Sequence, residues 1–275
     1  MTVINTVFNK LFEYLFFPFL NTGPWTAMIV ISLLTGLLML FIFKHTSNQE
    51  GIRRTKDRIK AYLLEMRLYK DSFSASMRAQ GNILAANIRY IGHSLKPLLV
   101  MIIPVLLILI QLNFWFGYKP LEPGESTILK VKLAEGYDPM EVDISLDLSP
   151  GIQKETPPLR IREEREIDWR LSAVEPGTHE AVIEIESYRF PKKIYAGQKP
   201  LMRISPLRPD SNLIQTLLYP AEKPLPKAQP VLSIEVLHPS GGLNFMGVNL
   251  HWLIVFFALS IIFGFSLKGF FGVEV

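Results

Sequence analysis

The sequence predicts an α-helical membrane protein joined to an all-β sandwich, with three transmembrane helices and a cytoplasmic helical hairpin. Three observations predict it. Trp25–Phe43, Pro97–Phe116 and Leu250–Leu267 contain no Lys, Arg, Asp or Glu, and each is about 18–20 residues, the length of a bilayer-crossing helix. The segment between the first two runs is basic and has helical spacing. The segment between the last two alternates with period two. With 275 residues, 49% of them hydrophobic, and a mean hydropathy of +0.23, a wholly soluble chain is excluded. A transmembrane β-barrel is excluded as well, since its strands would alternate rather than run apolar throughout. There is no cysteine, so disulfides, thiolate metal sites and a cysteine nucleophile are excluded.

The first segment, 1–23, reads as an amphipathic helix lying in the outer headgroup layer. Ile4, Val7, Phe8, Leu11, Phe12, Leu15, Phe16 and Phe19 fall at helical spacing, with Asn5, Asn9, Lys10 and Glu13 opposite. Asn21-Thr22-Gly23-Pro24 breaks it before the first span, 24–43. The alternative is one longer, kinked membrane helix.

Segment 44–96 carries 11 basic and four acidic residues, whereas Gly117–Asn249 carries 16 basic and 19 acidic. Short positive loops stay in the cytoplasm, while long domains cross regardless of charge. The N-terminus is therefore expected outside, 118–248 outside and the tail 269–275 in the cytoplasm. Trp25, Trp115, Tyr118 and Trp252 stand where outer-interface anchors belong. Absence of N-x-Ser/Thr acceptors in 118–248 points to a bacterial inner membrane and a periplasmic domain.

Within 44–96, Ile52, Ile59, Leu63, Met66 and Lys70 mark one helix face, and Met77, Leu84, Ile88 and Ile91 recur after a turn at Asp71–Ser74. Two helices of about 20 residues make an antiparallel hairpin. Arg53, Arg54, Lys56, Arg58 and Lys60 form its basic face, suited to anionic lipid headgroups, the ribosome or acidic parts of nascent chains rather than to any specific nucleic-acid sequence. The second span, 97–117, carries Gln111 and Asn113 near its outer end. They either reach the interface or line a polar groove.

The outer domain, 118–248, alternates over Glu141–Leu148, over Ile167, Trp169 and Leu171, over Glu180–Ser187 and over Val231–Leu237, with Pro-Gly and Pro-Pro turns between. Several short strands in about 115 residues suggest an immunoglobulin-like sandwich. Leu207–Pro230 reads as a long loop. The third span is 249–268. No catalytic constellation is present: the five histidines are scattered without metal-motif spacing. Glu163, Glu164, Glu166 and Asp168, interleaved with Arg160, Arg162, Arg165 and Arg170, read as a solvated strand face. Neither a cofactor nor an enzymatic activity is indicated.

The order of parts, with Thr46-Ser47-Asn48-Gln49 leading into Arg53-Arg54-Thr55-Lys56-Asp57-Arg58-Ile59-Lys60, Leu95-Lys96-Pro97 opening the second span and Phe263–Lys268 closing the third, resembles the YidC-type insertase superfamily. In layout it is most similar to the three-span archaeal YidC-like proteins, over Trp25–Tyr118 and Leu250–Val275. The resemblance implies a non-enzymatic core that aids membrane-protein insertion or assembly through a polar groove, for which Gln111 and Asn113 are the candidates. It also implies a substrate-capturing hairpin, with nascent membrane proteins or the ribosome as partners. Two features differ from the bacterial pattern: the first span has no arginine, and the large outer domain follows the second span. The other functional class open at this point is an adaptor subunit of a membrane complex, whose outer sandwich binds a partner.

The charge split predicts opposite sides for Ser74 and Ser187. In the cysteine-free chain, a single cysteine at Ser187 reacts with an impermeant thiol reagent in spheroplasts, and one at Ser74 reacts only after lysis. The reverse pattern would overturn the topology.

Overall fold

A computed structural model describes residues 3–274 apart from 198, 200 and 228, with side chains from Asn5 onward; the Ile4 side chain and Val275 named above lie outside the described residues. The helices are α1 (Val3–Phe16), α2 (Pro24–Thr46), α3 (Gln49–Leu68), α4 (Phe73–Phe116), α5 (Leu213–Leu218) and α6 (Trp252–Leu267). The strands are β1 (Ser126–Leu133), β2 (Ile144–Leu148), β3 (Ile152–Lys154), β4 (Leu159–Ile161), β5 (Glu166–Ala173), β6 (Gly177–Ile185), β7 (Tyr188–Ala196), β8 (Leu207–Arg208), β9 (Val231–Val236), β10 (Leu243–Phe245) and β11 (Val248–Leu250). Two compact units result: 28–108 with 253–275, and 1–27 with 109–252.

In the first of these units, α2 and α4 are long and apolar enough to cross a membrane. The third expected span is shorter than 249–268. Val248–Leu250 pairs with Leu243–Phe245 as a hairpin, so α6 begins only at Trp252 and has 16 residues. The second expected span is not a separate helix. α4 runs 44 residues through Pro97 and Pro104, each of which forgoes one backbone hydrogen bond to the carbonyl four residues earlier.

α3 starts at Asn48, whose side chain accepts from the Gly51 N–H at 2.9 Å, a capping contact that satisfies one orphan donor. It ends at Tyr69, and the turn covers Tyr69–Ser72, two residues ahead of the expected one. Ile52 and Thr55 are buried on α3, and Ala79 and Ala86 on α4. The expected apolar series Met77, Leu84, Ile88 and Ile91 points outward, between 52% and 65% exposed. The inward positions of this stretch of α4 are the small Ala79 and Ala86, and α3 comes close to α4 at Gly51, where a side chain would come within 3.1 Å of the His93 ring.

The other unit centres on two antiparallel sheets, β3-β5-β1-β9-β8 with β4 paired to β5, and β2-β6-β7. One core takes side chains from both: Leu129, Val131, Ile167, Trp169, Leu171, Ile234 and Val236 from the first, and Ala181, Ile183, Ile185, Phe190 and Ile194 from the second. Period two therefore identified the inward faces of β5 and β6 correctly. On β9 the alternation is displaced at its start. Val231 is buried and Leu232 only partly so, because the pairing with β1 shifts register at Lys132/Leu133, as a bulge does. The strand expected from Glu141 begins at Ile144, since Asp138 holds Met140 and Glu141 in a turn through its carboxylate and carbonyl. Leu207–Pro230 is not one loop: it contains β8, α5 and a fully buried Leu225.

The chain enters and leaves this domain along one seam. Lys119 N–H donates to Pro239 O at 2.9 Å, and Gly241 N–H donates to Gly117 O at 2.8 Å. Any side chain at Gly241 would lie 2.1 Å from the Phe116 carbonyl oxygen, so only glycine fits there.

Trp169 is 2% exposed. Trp169→Ala in the fragment 119–237, which keeps the whole core, should cost about 3–5 kcal/mol in urea unfolding followed by circular dichroism. A loss under about 1 kcal/mol would contradict its central place in the packing.

Candidate functional site

Three places in the fold carry candidate chemistry. The first is the α3 face. Arg54 pairs with Glu50, Lys60 with Asp57 at 3.6 Å, and Lys56 with Glu274 at 3.3 Å. Arg53 and Arg58 are exposed and make no ion pair among the described residues. At 100° per residue the five cations spread over the solvent side rather than gathering in one patch. The C-terminal tail caps this region: Lys44 donates to Phe271 O at 2.8 Å, and the Glu274 N–H donates to Gln49 Oε1 at 2.7 Å.

The second is a cavity of about 410 Å³ lined by α2, α4 and α6, including Gly36, Met39, Met101, Phe256, Ser260 and Gly264. Its walls are almost wholly apolar. Thr35 and Ser260 line it, but their hydroxyls are buried away from it and have no hydrogen-bond partner among the described residues. A Cβ on Gly36 would lie 3.1 Å from Ser260 O and 3.3 Å from Gly264 N, so α2 and α6 touch backbone to backbone. The signal for this contact was in the sequence as a small-xxx-small pair, Ser260 and Gly264. Neither Gln111 nor Asn113 lines this cavity.

Gln111 belongs instead to a third place, a polar junction under α1. Gln111 Nε2 donates to Asn9 Oδ1 at 2.9 Å, and Asn9 Nδ2 donates to Pro220 O at 2.7 Å. Arg203 donates to Glu13 at 2.6 Å, to Asn9 Oδ1 at 2.7 Å and to Gln111 Oε1 at 3.4 Å. Asn5 Nδ2 donates to Thr216 O at 2.6 Å. Phe16 stacks on Trp115 at 4.5 Å beside this network. The polar positions Asn5 and Asn9 are therefore buried rather than facing solvent, a correction to the amphipathic assignment. Their amides satisfy loop carbonyls that would otherwise be orphaned. The outward stripe of α1 is apolar: Val7, Leu11, Tyr14 and Phe17 are exposed. Asn113 is half-buried near Gly117, whose N–H donates to the Asn113 carbonyl at 2.8 Å.

Next to the junction lies a buried ion pair. Lys192 Nζ, with no exposed side-chain surface, donates to Ser205 O at 2.8 Å and to both Glu222 oxygens at 3.1 Å. Burial pushes the lysine below its ordinary range and the glutamate above its own, and the pair's attraction opposes both shifts. His238, also buried, is pulled down to about 4 by desolvation and then by Lys192. Period two exposes Lys192 in hindsight: Phe190, Ile194 and Ala196, its neighbours on the same face of β7, all point inward.

Several charges of the stretch 160–170 are ion-paired: Glu166 to Lys130 at 2.9 Å, Arg170 to Glu155 at 2.7 Å and Arg162 to Asp138 at 3.0 Å. Asp168 shares Lys130 at 4.0 Å and is pushed up to about 6 by desolvation and by Glu166 beside it. Among the described residues no group of three His, Cys, Asp or Glu is placed to hold a metal ion. No protein-family model matches the chain, and no curated protein is significantly similar to it.

Arg203→Ala would leave Asn9 Oδ1, Gln111 Oε1 and Glu13 without their shared donor. The expected cost is about 1–3 kcal/mol, read as a lower melting temperature of the full chain in detergent and faster proteolysis within α1. Unchanged melting and unchanged protection would show that α1 is held by its aromatic contacts alone.

Proposed function

We propose that this chain is a non-enzymatic, three-span bacterial inner-membrane protein with an insertase-like core that aids insertion or assembly of other membrane proteins. The observation that carries this reading is a cavity among three apolar helices in one unit with a basic hairpin; its apolar walls differ from the polar groove that the resemblance implies. Gly36 is taken up by the α2–α6 contact, but Gly264 has open space where a Cβ would stand, and Met39 and Met101 adapt to varied apolar side chains. The outward stripe on α4 supports it too. Leu84, Ile88, Ile91 and Leu95 continue in helical register into Leu98 and Ile102, all exposed, giving an unbroken apolar track along one helix. The cavity suits an apolar helix of a client rather than a polar segment.

As a span, α6 would cover about 24 Å at 1.5 Å per residue, short of the roughly 30 Å hydrocarbon core. Local thinning and the flanking aromatic residues accommodate such a mismatch. The N-terminus and β-domain are read as periplasmic. The β-domain is read as immunoglobulin-like: β3-β5-β1-β9 matches a D-E-B-A sheet and β2-β6-β7 a C-F-G sheet, with β9 in the place of the first strand. The adaptor reading is favoured by one observation, the lack of polar walls in the cavity.

Photocrosslinkers at Met39 and Met101 separate the two. A client-holding core yields adducts with ribosome-bound nascent membrane segments; an adaptor yields none above a probe at Lys154. The hairpin charges give a second test. Arg53→Gln/Arg58→Gln should weaken salt-sensitive co-sedimentation of the full-length protein with ribosomes more than Arg54→Gln/Lys60→Gln, because the second pair is already neutralised by Glu50 and Asp57. Unchanged co-sedimentation in both double variants would mean that the charges serve orientation only.

A further inference from the structure

Beside the polar junction, one flank of α1, the outer side of β6 and β7 and the loop at 221–223 enclose a cleft of about 470 Å³. Its lining is strongly cationic, with Lys10, Lys193, Arg203, Arg208 and Lys223. Three carboxylates face them, and two of these are ion-paired. Glu13 is bound by Arg203 at 2.6 Å, Glu222 by Lys192 at 3.1 Å, and Glu180 lies opposite Lys193 in the β6–β7 register. Lys10, Arg208 and Lys223 therefore remain in excess, with no ion pair among the described residues. Arg208 spends two donors on the carbonyls of Lys223 and Pro191, which fixes its guanidinium; Glu222 and Glu180 attract it, but Lys192 and the five lining cations outnumber the three carboxylates. This positive focus is not background, since 117–249 has more acids than bases.

The cleft also adjoins an apolar surface. Around α1, Lys10 projects between Glu13, which faces the cleft, and Tyr14, which belongs to the exposed stripe with Val7, Leu11 and Phe17. An anion held in the cleft would thus sit at the border of a surface suited to hydrocarbon. We infer that this cleft binds the phosphate of an anionic phospholipid, with its acyl chains along Val7, Leu11, Tyr14 and Phe17. The inference rests on the membrane reading given above, but not on client handling. The site would fix α1 and the β-domain at the outer leaflet by a specific headgroup contact.

Native mass spectrometry of the full-length protein in detergent, titrated with phosphatidylglycerol and with phosphatidylcholine, tests it. The expected result is preferential retention of phosphatidylglycerol, reduced in Lys193→Glu/Lys223→Glu by about fivefold or more for each charge lost. Lys132→Glu/Lys154→Glu, with the same change in net charge, should retain lipid as wild type does. All four lysines are exposed, and matching circular dichroism spectra establish that the variants fold. Equal retention of the two lipids, or equal loss in both double variants, would overturn the site. Displacement of phosphatidylglycerol by inorganic phosphate at the concentration at which phosphate binds alone would overturn the lipid source and assign the cleft to a soluble phosphate. Loss of client crosslinking at Met39 with lipid retention intact would sink the insertion reading and leave this one standing.

Discussion

The backbone seam between Gly117–Lys119 and Pro239–Gly241 is the constraint from which the β-domain's architecture follows. A domain inserted between two apolar helices must begin and end at nearly the same point. The hydrogen bonds across the seam enforce that, and they propagate directly into the pairing of β1 with β9. The first and last long strands are then neighbours in the middle of the larger sheet rather than at its edges. The remaining strands arrange around them: β5 on the far side of β1, β8 beyond β9, and β2-β6-β7 closing the core from the other face. Gly241 has no latitude, because a side chain there would run into the Phe116 carbonyl oxygen.

A second constraint ties α1 to this domain. Its buried stripe is half amide and half aromatic: Asn5 and Asn9 satisfy carbonyls in the 216–220 stretch, while Phe12 and Phe16 pack around Trp115. Arg203 joins the amide half to Gln111 on α4. Burying so many polar atoms is tolerable because nearly every one has a partner; the Arg203 Nε is an exception. The same holds for Lys192 and Glu222, whose desolvation is offset chiefly by each other, with the Ser205 carbonyl bonded to the lysine and Arg208 and Lys193 favouring the carboxylate. Replacing either alone would strand a buried charge.

What the sequence disclosed follows from the range of the forces involved. Continuous apolar runs and period-two strands are local patterns, so α2, the apolar half of α4, β5 and β6 could be read directly. The failures are long-range. Asn5 and Asn9 look like a solvent face until the 216–220 carbonyls, some 211 residues away, are brought against them. Met77, Leu84, Ile88 and Ile91 look like an inner face, but Ala79 and Ala86 hold that position. Gln111 reads as a membrane polar group, and only the tertiary structure supplies Arg203. In the third apolar run, the β10–β11 pairing takes the first residues from the helix. Lys192 was legible and was missed, since its alternation with Phe190 and Ile194 already demanded an inward lysine.

The adjacency of β1 and β9 also sets a timetable. Leu129 cannot meet Val236 until more than a hundred further residues have left the ribosome, and contacts of such sequence separation form late. During synthesis the larger sheet lacks a central strand, so β5 and β1 expose one side of their ladder while β2, β6 and β7 can already pair. Closure comes only when 231–236 emerges, a short distance before α6. The last apolar helix and the last strand thus reach their destinations almost together. A pause or truncation between 200 and 230 would leave an open, adhesive sheet edge, which makes this stretch the interval in which the nascent chain most needs protection.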